Sequence, residues 1–332
     1  MITVVIGAAI TAHANAQVVC PNPAALTNGI VGATTWWAFQ TEDGFDAQVG
    51  VFSATVQPPS STNPFPRGVI TGTQTSNNAG IITQRAAFTG VFTIDAADCS
   101  TGTISFNING NAFQYTFVLA DTFPATQVLP QGFYLAGALS PTAKLLLVTS
   151  NTMVPNFGAG TADGNSGIAY LLPGPPTCTN PADPLAQLLS GQAPNVGSNW
   201  SLLGREAITS NIATFSATET TIPFPRGVLK GTARRSGAGT TATLGGNFIG
   251  TFTVFGADLN FPSTTPVSCE GGQIFISGNG SSYQYDFVFA PPFDANGATR
   301  LLGVTSSNEL PNPTGAASRA NRMQAFRNFP HQ

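Results

Sequence analysis

Apolar and polar residues alternate along much of this chain with a period of two. Phe113, Tyr115, Phe117 and Leu119 alternate with Gln114, Thr116 and Val118, and Ile104, Phe106 and Ile108 alternate with Ser105 and Asn107. This is the pattern of a strand with one face turned inward. Between the two runs, Asn109-Gly110 has the chemistry of a tight hairpin turn. The aromatic run returns at Tyr283, Tyr285, Phe287 and Phe289, preceded by Asn279-Gly280. Val91 to Ile94 and Thr251 to Val254 mark a further strand in each region. Helical periodicity is nearly absent. One brief helix is expected at Asp183 to Ser190 and another near the C-terminal end.

The recurrence is general. "PFPRGV" occurs at Pro64 to Val69 and again at Pro223 to Val228. Trp37 lies fifteen residues before Phe52, and Trp200 fifteen before Phe215. "FTGVFTI" from Phe88 matches "FIGTFTV" from Phe248, "LLLVTS" from Leu145 matches "LLGVTS" from Leu301, and "CPNPA" from Cys20 matches "CTNPA" from Cys178. The order never breaks, so the chain is a tandem duplication of a domain-sized unit rather than a solenoid of short repeats. "LLPGPPT", Leu171 to Thr177, reads as the stiff joint between the copies. The expected organisation is a leader over 1–16, a first β-unit over 17–172, a second over 173–318, and a basic, aromatic tail over 319–332.

A run of antiparallel strands must protect its edges, by closing into a barrel or by pairing two sheets. The pattern predicts an all-β fold of two tandem homologous antiparallel barrels of about eight strands each, with a β-sandwich as the alternative.

Composition narrows the setting. Charged residues make up only 8% of the 332, against roughly 25% in an ordinary soluble domain. Thr, Ser, Asn, Gln and Gly supply the polarity instead, which suits strands and turns. Twelve basic residues against fifteen acidic ones leave no electrostatic footprint for nucleic acid. Ile2 to Ala12 is apolar and Ala14-Asn15-Ala16 fits a small-x-small cleavage site, so residues 1–16 read as a secretory leader. No other stretch is long and apolar enough to span a bilayer. The expected location is secreted, extracellular or on the cell surface.

The four cysteines are Cys20, Cys99, Cys178 and Cys269. None forms a CxxC motif, so no zinc cluster is indicated. With a leader present, disulfides are expected. The duplication favours Cys20–Cys99 and Cys178–Cys269, each closing its own unit; bridges between the units are the alternative. Loops of this length contribute about 4–5 kcal/mol each in the chain-entropy picture.

Taken together, the Trp-bearing first strand, Gly68 to Thr73, Phe88 to Gly102 and Gln114 to Ala120, with their second-copy counterparts, resemble secreted bacterial β-repeat proteins with calycin- or lipocalin-like barrels. That resemblance implies a barrel fold and a secreted location. It implies no activity.

The catalytic inventory is thin. The only histidines are His13, in the leader, and His331, one residue from the end. No Ser-His-Asp triad or histidine-based metal site can be assembled in the body. Among carboxylates only Asp98 and Asp258 match between the copies, at turns where Asp commonly bonds the backbone. Glu42, Asp43 and Asp46, and the loop "GTADGNSG" from Gly160 to Gly167, read as solvated loops before cation sites. No cofactor, metal or catalytic residue is assigned, and no enzymatic activity is expected.

Two features carry a second, functional reading. Arg67 and Arg226 are the basic residues shared by both units. Each is expected to stack on the tryptophan of its unit, Trp37 or Trp200; the functional alternative is an anion-binding arginine at a pocket mouth. The aromatic faces Phe113, Tyr115 and Phe117, and Tyr283, Tyr285 and Phe287, are expected to fill the barrels; the alternative is that they line an apolar cavity for a small ligand. The reading that follows is a secreted, non-catalytic structural or interaction protein of two β-domains. Its partners would be itself, assembled head to tail, or another extracellular component. A lipocalin-like carrier of a small hydrophobic ligand is the alternative, and a carboxylate-dependent hydrolase the third.

Overall fold

The alternating segments form strands over the residues where the pattern is clearest. The computed structural model describes residues 34–42, 46–57, 67–78, 80–95, 101–108, 110–120, 143–149, 166–172, 174, 177–178, 198–206, 209–221, 226–236, 246–254, 267–268, 271–278, 281–294, 297–306 and 321–328. The first unit contributes β1 (Thr34–Glu42), β2 (Asp46–Val56), β3 (Arg67–Asn78), β4 (Ile81–Ile94), β5 (Thr101–Ile108), β6 (Asn111–Ala120), β7 (Lys144–Thr149) and β8 (Ser166–Leu172). Each pairs antiparallel with the next, and β8 returns to β1, with Trp36 opposite Leu172 and Glu42 opposite Ser166.

The second unit repeats this. It contributes β10 (Ser198–Glu206), β11 (Thr209–Thr221), β12 (Arg226–Ser236), β13 (Gly246–Val254), β15 (Gly271–Gly278), β16 (Ser281–Asp294), β17 (Gly297–Thr305) and β18 (Asn321–Asn328). Closure is by β10 with β18. A small separate pair joins β9 (Thr177–Cys178) to β14 (Val267–Ser268). The fold is therefore two closed eight-stranded antiparallel barrels, as the pattern predicts, and not a sandwich. Full closure leaves no open sheet edge in either.

One expectation is corrected. The segment read as a tail supplies β18, the eighth strand of the second barrel. Met323 and Ala325 point inward and are fully buried, whereas Phe326 is exposed. The period is two, not the three suggested by the spacing of Met323, Phe326 and Phe329. The brief helix expected at Asp183 to Ser190 lies outside the described residues.

The register shows why the duplicated motifs are what they are. Trp37 pairs with Phe52 and Trp200 with Phe215. The rings stack at 6.4 Å in both barrels. Each indole N–H donates to a hydroxyl two residues back, Trp37 Nε1 to Thr35 Oγ1 at 2.9 Å and Trp200 Nε1 to Ser198 Oγ at 2.8 Å. A buried indole N–H needs such a partner, and the chain supplies it locally.

The glycine of each "PFPRGV" has an equally specific cause. A Cβ on Gly68 would lie 2.3 Å from the ring of Phe92, and one on Gly227 would lie 2.4 Å from the ring of Phe252. The ring from the neighbouring strand lies flat across the bare backbone. Eight strands enclose just enough width for side chains, and a ring seated over glycine lets a large residue use the space that a smaller pair would leave unfilled.

At one place where the two interiors differ, volume is conserved. The cross-strand pair Leu147 and Gly167 of the first barrel corresponds to Gly303 and Met323 in the second. Large and small have changed sides, and a Cβ on Gly303 would meet Met323 Cε at 2.5 Å. Such compensation is what a close-packed core tolerates best.

Gly68→Ala is expected to destabilise the protein by about 1–3 kcal/mol through overpacking against Phe92 and the Thr55 carbonyl. The check is the denaturant midpoint, with Val69→Ala, a half-buried outward position, as the control. A midpoint unmoved by Gly68→Ala would contradict the ring-over-glycine account.

Candidate functional site

Three places could carry a function: the barrel interiors, the shared arginines, and the seam between the barrels. The interiors are filled. Phe113, Tyr115 and Phe117 are buried in the first core with Trp37, Phe52, Phe88, Phe92 and Phe106. Phe106 lies at the centre of this group, with ring centroids 4.6 Å from Phe88, 5.3 Å from Phe113 and 5.9 Å from Tyr115. Tyr115 is anchored by donating its hydroxyl to Gln48 Oε1 at 3.2 Å. The void among Phe39, Phe52, Ile70, Phe88 and their neighbours measures about 10 Å³, which is room for at most one water. In the second barrel Tyr285 and Phe287 are buried in the core, and Tyr283 packs against its edge. Each of these aromatic residues packs in or against the core of its barrel.

Among the described residues, Arg67 does not stack on Trp37. Trp37 is fully buried against Phe52. Arg67 sits at the start of β3 opposite Thr93, its Nε buried with no hydrogen-bond partner among the described residues. Arg226 occupies the matching register opposite Thr253, and its side chain lies outside the described residues. An arginine does lie over rings elsewhere: Arg300 sits 4.7 Å from the centroid of Tyr170 and 5.3 Å from that of Phe326. The Tyr170 contact was not legible in the sequence, because it joins β17 to the other unit.

The seam itself is the best-built polar arrangement in the molecule. Ala38, Ala47, Val49 and Val51 from β1 and β2, with Tyr170 and Leu172 from β8, pack against Val288 and Ala290 of β16 and Leu302 and Val304 of β17. Polar contacts frame this apolar contact. Gln40, 2% exposed, donates to the carbonyls of Gly303 at 2.8 Å and Met323 at 3.1 Å. Its Oε1 accepts from Gln324 Nε2 at 3.1 Å. Asn77 Nδ2 donates to Thr305 Oγ1 at 2.9 Å, and Gln84 Nε2 to the Ser306 carbonyl at 2.8 Å. At the rim, Arg322 pairs with Glu42 at 2.8 Å.

Asp286 is the centre of this frame. It is 1% exposed. Thr75 Oγ1 donates to Oδ2 at 2.7 Å from across the seam, and Gln273 Nε2 to Oδ1 at 2.9 Å from the neighbouring strand. Burial raises its pKa above the ordinary value of 3.8; the hydrogen bonds from Thr75 and Gln273 and the charge of Arg85 oppose that rise without cancelling it. The net desolvation is the signature of a carboxylate committed to an interior contact.

Glu42 is therefore engaged in the seam, while Asp43 lies outside the described residues. So do Asp98, Asp258, and Gly160 to Asn165 of the glycine-rich loop. Among the described residues, no three of His, Cys, Asp and Glu come together as metal ligands, and no helix is long and apolar enough to cross a membrane. Cys20, Cys99 and Cys269 also lie outside the described residues. Cys178 is on β9, opposite Val267, two residues before Cys269 in the sequence.

The outer walls carry the threonine-rich composition. Hydroxyls pair across strands at Thr34–Thr55 (2.8 Å), Ser53–Thr71 (2.8 Å) and Thr93–Thr103 (2.7 Å). Such cross-strand pairs stabilise a sheet by a few tenths of a kcal/mol to about 1 kcal/mol each. A shallow open depression of about 320 Å³ lies over β4, β5 and β6, among Thr89, Val91, Ser105, Asn107 and Gln114.

No family model matches this sequence, and no curated protein matches it. Solved structures that match in shape include CghA with Sch210972 (10% identity, 89% of this chain and 88% of that one, TM-score 0.22). They also include HpuA from Kingella denitrificans in complex with human haemoglobin (8%, 88% and 87%, TM-score 0.24). A third is a porin-like protein from Bacteroides uniformis (9%, 92% and 98%, TM-score 0.16). Superpositions this weak bear on neither lineage nor activity, and the barrel assignment rests on the strand pairing of this chain.

Raised burial of Asp286 has a signed consequence. Between 3.8 and its higher native pKa, the folded chain holds a proton that the unfolded chain has lost, so stability falls as pH rises through that window. Urea midpoints measured across acid pH are expected to show this decline in the wild type and a flatter profile in Asp286→Asn. Identical profiles for the two proteins would show that Asp286 is not desolvated at the seam.

Proposed function

We propose that this chain is a secreted, non-catalytic structural or interaction protein acting outside the cell or at its surface. The observation that supports this reading best is the use of Asp286. Among the described residues it is the only charged side chain in the buried set, and its carboxylate faces hydrogen-bond donors of the fold rather than a cleft. Glu42 is held by Arg322 at the rim of the seam. The resources that an enzyme would place in a pocket are used here to join two barrels.

The exterior fits the same reading. A surface of short hydroxyl and amide side chains on rigid strands offers many hydrogen-bond donors and acceptors with little rotamer entropy to lose on contact. Two such barrels held in fixed relation give a partner two related surfaces at a set spacing. The leader read at residues 1–16 and the expected disulfides Cys20–Cys99 and Cys178–Cys269 belong to this proposal, as does the extracellular location.

Assay of the purified protein against a panel of chromogenic glycoside, ester and peptide substrates is expected to give no turnover above buffer. Turnover that is lost in Asp286→Asn or Glu42→Gln, with folding retained by circular dichroism, would replace this reading with a carboxylate hydrolase.

A further inference from the structure

The seam is not two-fold. The first barrel offers β1, β2, β3 and β8, and the second offers β16, β17 and β18. By register, β16 and β17 correspond to β6 and β7 of the first barrel, not to β1 and β2. One unit thus presents a front face and the other a back face. A contact of this kind leaves one unused copy of each face on the molecule.

Both unused faces keep apolar side chains in the open. The back face of the first barrel carries Val118, Leu146 and Val148, exposed at 43%, 46% and 52%. Their register equivalents in the second barrel are Val288, Leu302 and Val304, which are buried in the seam. The front face of the second barrel carries Leu203 and Ile212, exposed at 46% and 54%, and borders Phe326, 38% exposed beneath Arg300 at the edge of the seam. These stand at the positions of Gln40, Val49 and Tyr170, all seam residues.

We infer that a second copy of this chain docks here, the back face of one molecule's first barrel on the front face of another molecule's second barrel, repeating the internal seam head to tail. Two charged residues of the seam have been replaced on the back face in a way that permits this. Thr116 stands at the position of Asp286, and Ser166 at that of Arg322. Lys144 stands at the position of Arg300 and keeps its charge, so docking buries no carboxylate from the back face. On the front face Arg234 takes the position of Thr75, and its long stem can carry the charge to the edge of the contact. Ser201, Ser210 and Thr214 replace Ala38, Ala47 and Val51. The intermolecular contact is accordingly weaker than the internal one, which also benefits from tethering. Association is therefore concentration-dependent.

This inference rests on the structural reading above and names its partner. The test is sedimentation velocity of the full chain over a concentration series, with Leu146→Asp, Val148→Asp and Ile212→Asp. Wild type is expected to form species that grow with concentration. Each variant places a charge in the apolar contact and should weaken association by about tenfold or more, with an unchanged circular dichroism spectrum. An equimolar mixture of Leu146→Asp and Ile212→Asp should form a one-to-one dimer, because each retains one sound face. A wild type of constant size, a mixture that stays monomeric, or association that survives all three substitutions would overturn the inference. Turnover in the substrate panel would instead remove the structural reading and leave the docking result standing.

Discussion

An eight-stranded barrel must fill its own interior, and this requirement governs the rest of the molecule. The enclosed width accepts side chains and little else. Here it is met by rings laid over glycines, Phe92 over Gly68 and Phe252 over Gly227. In the first barrel this leaves a void of about 10 Å³ among the rings. The outer walls are where equivalent positions of the two units take on different chemistry.

The contrast between inside and outside follows from packing. Inside, a change of size can be compensated across strands, as at Leu147/Gly167 and Gly303/Met323. Outside, equivalent positions have become chemically distinct. Gln40 corresponds to Leu203, Thr75 to Arg234 and Thr116 to Asp286. Each of these substitutions distinguishes the copy of a face that lies in the seam from the copy that does not. Gln40 can satisfy its whole amide only against the carbonyls of Gly303 and Met323, so a slipped or inverted docking would leave it buried and unpaired.

Much of the fold was legible in the sequence because period-two alternation and tandem duplication are local or self-referential signals. The barrels, the Trp37–Phe52 and Trp200–Phe215 pairs and the turn at Gly110, whose φ is 86°, follow from them. β18 was missed because Met323, Phe326 and Phe329 suggested a three-residue spacing. Following the duplication to its end would have found it, since β8 also comes after a Pro-Asn pair. The Arg300–Tyr170 contact and the Thr75–Asp286 hydrogen bond were not legible, because each joins residues more than one hundred positions apart and the local pattern does not encode them.

The most telling illegible feature is Val288. In the sequence it stands where alternation calls for a polar residue, just as Val118 does in the first unit. Both positions are anomalies of the same kind, and composition cannot say which one is covered. The structure separates them: Val288 is 4% exposed and Val118 43%. An apolar residue on the outer wall of a closed barrel needs a second body to bury it. For Val288 that body is the sibling barrel. The back face of the first barrel keeps Val118, Leu146 and Val148 where the seam buries Val288, Leu302 and Val304, and so keeps an apolar surface of the kind a sibling barrel covers.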